Sequence, residues 1–253
     1  MNIGEILLLG GAGLVAGALN AVAGGGSFIT FPALVHSGLN SILANTTSSV
    51  ALWPASIASV LAYRQELASQ QSLLIRLGAV SIAGSLLGAG LLLWISPRTF
   101  DHLVPWLLLL ATLLFAFSGR ITQALQQRPD RPPPSLTSFT LGQFAVAIYG
   151  GFFGGGMGIM MLAMMSLHSR DSLHRMNALK TALATLINGT AVLAFVLSGQ
   201  IALQQGLLVG VGGLIGGYGG ARLARRVSAA RLKQSVVIFG LLLTVHFFSK
   251  TYL

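Results

Sequence analysis

Cysteine is absent from the 253-residue chain, which excludes disulfide bonds, a thiolate nucleophile and cysteine-ligated metal sites. Charged residues are also scarce. They make up 8% of the chain while hydrophobic residues make up 54%, whereas soluble domains carry roughly 25% charged residues. A soluble globular fold is therefore excluded, and the sequence predicts a polytopic membrane protein. Apolar runs such as residues 107–117 and 203–215 lack the alternation of barrel strands, so helical spans are predicted.

Acidic residues number only five, and each lies in a loop or at a segment end: Glu5, Glu66, Asp101, Asp130 and Asp171. A proton pump that works through a carboxylate within a span is therefore not expected, nor is cation selection by an acidic ring. The histidines are scattered without metal-ligand spacing. Ser27 follows glycines as a nucleophile would, but it lacks a following glycine and a base. The sequence therefore predicts no metal, no cofactor and no enzymatic activity.

What the chain does have is two glycine triplets in similar surroundings, at residues 24–26 and 154–156. About twenty apolar or small residues precede each triplet and a shorter apolar run follows it. Each glycine costs roughly 1 kcal/mol against alanine in a helix interior, so the triplets predict broken helices. The rest of each half repeats the same order of segments, with residues 42–63 matching 177–197 and 73–95 matching 203–220. We therefore predict repeat 1 at 1–118, repeat 2 at 139–253, and a linker rich in proline and arginine at 119–138.

Basic residues give the chain a formal charge of +10, from 15 Lys and Arg against 5 Asp and Glu. In a membrane protein this excess is typical of cytoplasmic loops rather than of a nucleic-acid interface. If residues 3–38 and 139–168 form re-entrant or tilted helical pairs, only Arg98 and Lys250 fall on one face of the membrane and the other 13 fall opposite. Three spanning helices then remain in each repeat. Because three is odd, the second repeat is predicted to be inverted relative to the first, with a cytoplasmic linker.

Polar residues within apolar segments complete the predicted site. Glycine N–H groups at broken helix ends, with hydroxyls nearby, favour an anion. Lys180 lies about one turn inside an apolar span, where a lysine either faces a cavity or extends to the interface; both interpretations stay open here. Aligned with Thr46, Lys180 is expected beside the hydroxyls of residues 46–48. The predicted substrate-binding residues are Asn20, Gly24, Gly25, Gly26, Ser27, Thr46, Thr47, Ser48, Gly154, Gly155, Gly156, Asn177, Lys180 and Thr181.

Short motifs rich in small residues occur along nearly the whole chain: GLVAG at 13–17, GGGS at 24–27, FPAL at 31–34, AxxTS at 44–48, GGxxGGG at 150–156 and NALKT at 177–181. In this order they resemble the TauE/SafE family of membrane transporters. The resemblance implies a permease of the bacterial inner membrane for sulfite, sulfoacetate or a related sulfur-containing anion.

The fold class expected from residues and resemblance together is all-α, a multi-pass helical membrane protein made of two inverted repeats. Its expected function is secondary transport of a small sulfur-containing anion by alternating access, in the direction of export. A passive anion channel and an uptake permease for another small anion are the alternatives. The expected partners are the anionic substrate and the lipid bilayer, without nucleic acid. A proton is the candidate coupling ion and a homodimer is the candidate assembly.

Overall fold

A computed structural model describes residues 1–22, 25–126, 135–168, 173–223 and 229–253. These ranges are helical with short connections, which confirms the predicted all-α class, and no strand occurs in them. The helices are α1 (Ile3–Val22), α2 (Ser27–His36), α3 (Ser41–Ala62), α4 (Arg64–Ala68), α5 (Gln71–Trp94), α6 (Pro97–Gln126), α7 (Leu136–Phe152), α8 (Met157–His168), α9 (Leu173–Leu197), α10 (Leu203–Leu223) and α11 (Ala229–Tyr252).

Both glycine triplets separate a long helix from a short one, as the sequence predicts. The first break joins α1 to α2 and the second joins α7 to α8. Gly25 and Gly154 have φ values of +93° and +79°, and Gly156 has +76°. These angles lie in the left-handed region, which glycine enters without a steric penalty. Elsewhere side chains fix the helix starts: Asn40 caps α3 by accepting from Leu43 N at 2.9 Å.

Two helix pairs run parallel and pack backbone to backbone. A Cβ added to Gly13 would overlap the carbonyl of Val209, and one added to Gly17 would overlap that of Gly213. Moving four residues forward along α1 therefore also moves four residues forward along α10, so the two helices are parallel. In the same way, Gly84 meets Phe144 and Gly88 meets Ile148, so α5 and α7 are also parallel. Small residues permit this close approach of helices in membranes.

Two other pairs run antiparallel. On α3 and α9, Thr46 Oγ1 contacts the carbonyl of Gln200, just beyond α9, while Trp53 Nε1 donates to Thr185 O at 3.1 Å. On α6 and α11, the rings of Trp106 and Phe248 lie 5.0 Å apart. Further along the same pair, Gly240 faces Thr112.

The long arm of each broken pair thus packs against a helix from the other half of the chain. Together with the remaining contacts, this produces two groups of helices: α1, α2, α3 and α10 in one, and α4, α5, α7, α8 and α9 in the other. Helices α3 and α9 form the contact between the groups, and the pair α6 and α11 lies beside both.

The helix directions define two ends of the molecule. Tyr252 donates to His102 O at 2.9 Å, which places the C-terminus at the start of α6, and the N-terminus lies beside the start of α10. We call this the terminal end. The opposite, linker end holds the last turn of α6 and the first turn of α7. Of the basic residues in the described ranges, Arg98 and Lys250 are at the terminal end. The others lie in the linker-end half: Arg64, Arg76, Arg120, Arg175, Lys180, Arg222, Arg231 and Lys233.

Five helices in the described part are long and apolar enough to span a membrane, which supports the predicted multi-pass protein. These spans are Ile3–Asn20, Gln71–Trp94, Pro97–Arg120, Arg175–Leu197 and Gln234–Tyr252. The first belongs to a predicted broken pair, and its length favours a tilted helix over a half-crossing one. The short arms Ser27–His36 and Met157–Leu167 reach only about half of a bilayer at about 1.5 Å per residue. Helix α6 continues to Gln126, so part of the segment assigned to the linker is helical, and residues 127–134 lie outside the described ranges.

Candidate functional site

At the second break the carbonyl oxygens accept hydrogen bonds, whereas two amide hydrogens have no acceptor in the described residues. Met157 N donates to Gly154 O at 3.3 Å, the hydroxyl of Tyr149 donates to Gly155 O at 2.5 Å, and Ile159 N donates to Gly156 O at 3.0 Å. No hydrogen-bond acceptor within the described chain meets the N–H groups of Gly155 and Gly156, although both residues are buried. Since unpaired buried N–H groups are rare, this break can accept an electron-rich ligand.

The first break is closed by its own side chains. Asn20 Oδ1 accepts from Gly26 N at 2.8 Å, and Gly26 O accepts from Ile29 N and Thr30 N. A Cβ added to Gly25 would lie 2.8 Å from the ring of Phe115, so that ring covers the glycine. Ser27 is half-buried at the first turn of α2, and Gly24 lies outside the described residues. Of the groups predicted to bind substrate here, Asn20 and Gly26 are thus engaged with each other.

Both breaks contact neighbouring turns of α6. Gly25 lies against Phe115, while Gly155 and Gly156 lie against Ala111. The aromatic rings of the two breaks are also in contact through Phe31 and Phe153, whose centroids are 6.2 Å apart. The structure therefore brings the two triplets to one region of α6, with aromatic side chains around them.

The hydroxyl cluster of α3 is buried and hydrogen-bonded. Thr46 Oγ1 lies 3.0 Å from Leu43 O and 2.5 Å from Gln200 O. Thr47 Oγ1 accepts from Ala202 N at 3.0 Å. The hydroxyls of Ser48 and Thr30 are 2.6 Å apart. These bonds attach the start of α3 to the loop between α9 and α10 and to α2, so each hydroxyl already has a protein partner.

Lys180 does not lie beside that cluster, and the expected adjacency is wrong. Thr46 contacts Gln200, which lies 20 positions after Lys180 in the sequence. Most of these positions belong to α9, so Lys180 is separated from the level of Thr46 by roughly 26 Å of helix at about 1.5 Å per residue. The alignment fails because α3 and α9 are antiparallel, so equivalent residues approach each other only near the point where the helices cross. That point is at Trp53, whose ring packs on Gly189.

Lys180 of α9 instead packs against α8 of the second broken pair. Its Cδ would be 3.5 Å from a Cβ on Gly158, in the first turn of α8, and its Nζ donates to Asn177 Oδ1 at 3.1 Å. Thr181 Oγ1 donates to Asn177 O at 2.7 Å. The structure therefore collects Asn177, Lys180 and Thr181 on one side of α9, next to the helix that begins at the second triplet.

Three further residues belong to this region and were not among the predicted site residues. Asn188 Oδ1 would lie 3.9 Å from a Cβ on Gly154, and Asn45 Nδ2 donates to Phe152 O at 3.1 Å. Tyr149 completes the set through its bond to Gly155. The two asparagines are amides within apolar spans, which is a signal available in the sequence. The role of Tyr149 depends on a tertiary contact with the broken backbone and has no such signal.

Charge in this region is one-sided. Lys180 is a cation within a spanning helix, while the acidic residues of the described ranges, Glu5, Glu66 and Asp101, lie at or near helix ends. The described residues contain no group of three or more His, Cys, Asp or Glu that could hold a metal ion. Free amide hydrogens beside a lysine therefore make the second break suited to an anion.

Comparison with known proteins agrees with a membrane transporter. The profile of the sulfite exporter TauE/SafE family matches residues 9–247. A probable membrane transporter protein of Haemophilus influenzae is 32% identical over 96% of this chain and 95% of its own. The probable membrane transporter protein YfcA of Escherichia coli K12 is 26% identical over 89% of this chain and 82% of its own. A similar protein of Sinorhizobium, ORF9, is 27% identical over 92% and 88% of the two chains. No solved structure matches.

Proposed function

This chain belongs to the sulfite exporter TauE/SafE family, and we propose that it is a secondary transporter that exports a small sulfur-containing anion, such as sulfite or an organosulfonate. The relatives are named as probable membrane transporters without a substrate, so the substrate class comes from the family description and from the chemistry of the site.

The observation that carries the proposal is that the N–H groups of two buried residues, Gly155 and Gly156, meet no hydrogen-bond acceptor in the described part of the chain. An oxyanion offers several acceptor oxygens and can satisfy both donors at once. Lys180 adds a positive charge nearby, because its Cδ would lie 3.5 Å from a Cβ on Gly158, two residues after the triplet. A cation is less well matched to this position, because each carbonyl of the triplet already accepts a hydrogen bond and the carboxylates of the described ranges lie at or near helix ends.

We further propose that the two repeats are inverted and that they provide alternating access. Two observations support this arrangement. The equivalent helices α3 and α9 run in opposite directions, as do α6 and α11. In addition, α10 of the second repeat packs with α1 and α3, while α5 of the first repeat packs with α7 and α9. The excess of basic residues at the linker end supports a cytoplasmic position for that end in a bacterial inner membrane.

The test is flux of labelled sulfite and of labelled organosulfonates into proteoliposomes that contain the purified chain. We expect saturable flux that Gly156→Val abolishes, because a branched side chain at a φ of +76° would meet Ala111 and distort the break. Gly90→Ala is the matched control, since nothing lies within 4 Å of a Cβ at that helical glycine. Absence of flux for every sulfur anion would refute the substrate class, and non-saturating, voltage-driven current would identify a passive channel instead.

A further inference from the structure

The two ends of the contact between α3 and α9 differ in how tightly they are closed. At the terminal end, residues 44–48 of α3 are all buried. Here Thr46 and Thr47 bond to the loop after α9, and Asn45 bonds to Phe152 O at 3.1 Å. Ser41 adds a bond to Asp101 at the start of α6. Four side chains of one helix therefore seal this end against three other segments.

Toward the linker end α9 still packs on the end of α3, through Ala178 and Ala182 against Val60 and Tyr63, but the polar row beside this contact is not sealed. The row consists of side chains that are each partly exposed, namely Asn188, Thr185, Thr181, Lys180 and Asn177 on α9 and Ser56 on α3. Thr185 Oγ1 still reaches Ser56 O at 3.3 Å, so the two helices remain in contact along this row. The row begins beside Gly154 at Asn188 and passes Gly158 at Lys180.

Partly exposed polar side chains within a spanning helix indicate contact with water rather than with lipid. Placing an amide or an ammonium group against hydrocarbon costs about several kcal/mol, because no partner there replaces its hydrogen bonds to water. The partial exposure of Asn188 and Lys180 is therefore explained if their accessible surface faces an aqueous path. The outer faces of α1, α5 and α11, by contrast, expose leucine, isoleucine and valine, as lipid contact requires.

We infer that the chain is open toward its linker end through a polar vestibule between α3, α8 and α9, and that Asn188 binds an oxyanion there together with the second triplet. This inference rests on the proposed function for the kind of solute and adds to it the route, the conformational state and a binding residue. In the vestibule the anion passes Asn177 and Lys180 and reaches Asn188, whose amide can turn its N–H groups toward the ligand. The sealed terminal end must then open to release the anion on the other side.

The absence of cysteine from the sequence permits a direct test. Single cysteines are introduced as Asn188→Cys and Thr185→Cys in the vestibule, and as Thr47→Cys at the sealed end. Each purified protein is treated with a methanethiosulfonate that carries a sulfonate group and, separately, with one that carries a trimethylammonium group. We expect both vestibule cysteines to react, the anionic reagent at least tenfold faster than the cationic one, and Thr47→Cys to react at least tenfold more slowly.

The charge preference has its own control in the Lys180→Met background, where the two reagents should react with the cysteine at position 188 at similar rates. Gel filtration and far-UV circular dichroism establish that each variant is folded, and Thr185→Cys serves if Asn188→Cys does not fold. Equal labelling at positions 47 and 188, or faster reaction with the cationic reagent, would overturn the vestibule. Because labelling needs no transport, a positive labelling result combined with no sulfur-anion flux would refute the proposed function while leaving the vestibule in place.

Discussion

The two broken helix pairs share one backbone plan and differ in what their side chains do. In the first pair, α1 and α2, Asn20 occupies the amide of Gly26 and Thr30 bonds to Ser48. In the second pair, α7 and α8, the amides of Gly155 and Gly156 meet no acceptor in the described residues, and the neighbouring polar groups on α9 are partly exposed. The first copy therefore occupies an amide of its break with its own side chain, and the second copy does not.

Their packing differs in the same direction. Phe28 and Phe31 of α2 are almost fully buried and pack edge-on against Phe115 and Phe153. The second short arm, α8, carries methionines at residues 157, 160, 161, 164 and 165 instead. Methionine is flexible and adapts to irregular gaps, whereas interlocked rings hold one geometry. If the second copy binds the solute, as we propose, the duplicated fold has one copy that supports the structure and one that contacts the solute.

The largest effect is expected when the charge beside the second broken pair is reversed. Lys180→Glu places a carboxylate where we propose that an anion passes, and repulsion adds to the loss of attraction. We expect at least a hundredfold loss of saturable flux in proteoliposomes, while Lys180→Arg keeps at least a tenth of it. The control for a mere loss of folding is the elution profile of both variants in gel filtration. Flux within threefold of the parent protein for Lys180→Glu would show that this lysine only extends to the interface.

The sealed end supplies the next largest effect. A disulfide between Thr46→Cys and Gln200→Cys should hold α3 against the loop after α9, because the native side chain and carbonyl are already in contact there. We expect flux to fall at least tenfold on oxidation and to return on addition of a reductant. Each single cysteine variant controls for the substitution itself. Unchanged flux in a fully cross-linked sample would mean that this end does not open during transport.

Much of this architecture could be predicted from the sequence, and the failures have physical causes. Composition was enough for an all-α membrane protein, and the unfavourable helix propensity of glycine was enough to place both breaks. The neighbours of Lys180 could not be predicted, because alignment of two repeats says which residues are equivalent and not where the helices cross. The roles of Asn20 and Ser48 also escaped prediction. A hydroxyl or amide that can bind a solute can equally bind the nearest backbone atom, and only packing decides between them.

Substitution of the tyrosine that closes the second triplet should have an intermediate effect. The hydroxyl of Tyr149 occupies Gly155 O, so Tyr149→Phe leaves that buried carbonyl unsatisfied and free to repel an anion. We expect a threefold to tenfold rise in the substrate concentration that half-saturates flux, with little change in maximal flux. The matched control is Tyr63→Phe, because Tyr63 lies between α3 and α4, away from both breaks. A change confined to maximal flux would instead assign Tyr149 to the conformational step.

The smallest effect is expected where the first pair is closed. Ser48→Ala removes one partner of the bond to Thr30, whose hydroxyl keeps its contact with Gly26 O, and the net loss of such a hydrogen bond costs about 0.5 to 1.5 kcal/mol. The melting temperature in detergent should therefore fall by a few degrees, whereas we expect the half-saturating substrate concentration to stay within twofold, because we propose that the anion binds at the second pair. The double variant Thr30→Ala with Ser48→Ala should lose somewhat more stability, since the bond from Thr30 Oγ1 to Gly26 O, 3.3 Å long, is then lost as well. An increase of tenfold or more in the half-saturating concentration, at unchanged melting temperature, would place Ser48 in the binding site and make the two broken pairs functionally equivalent.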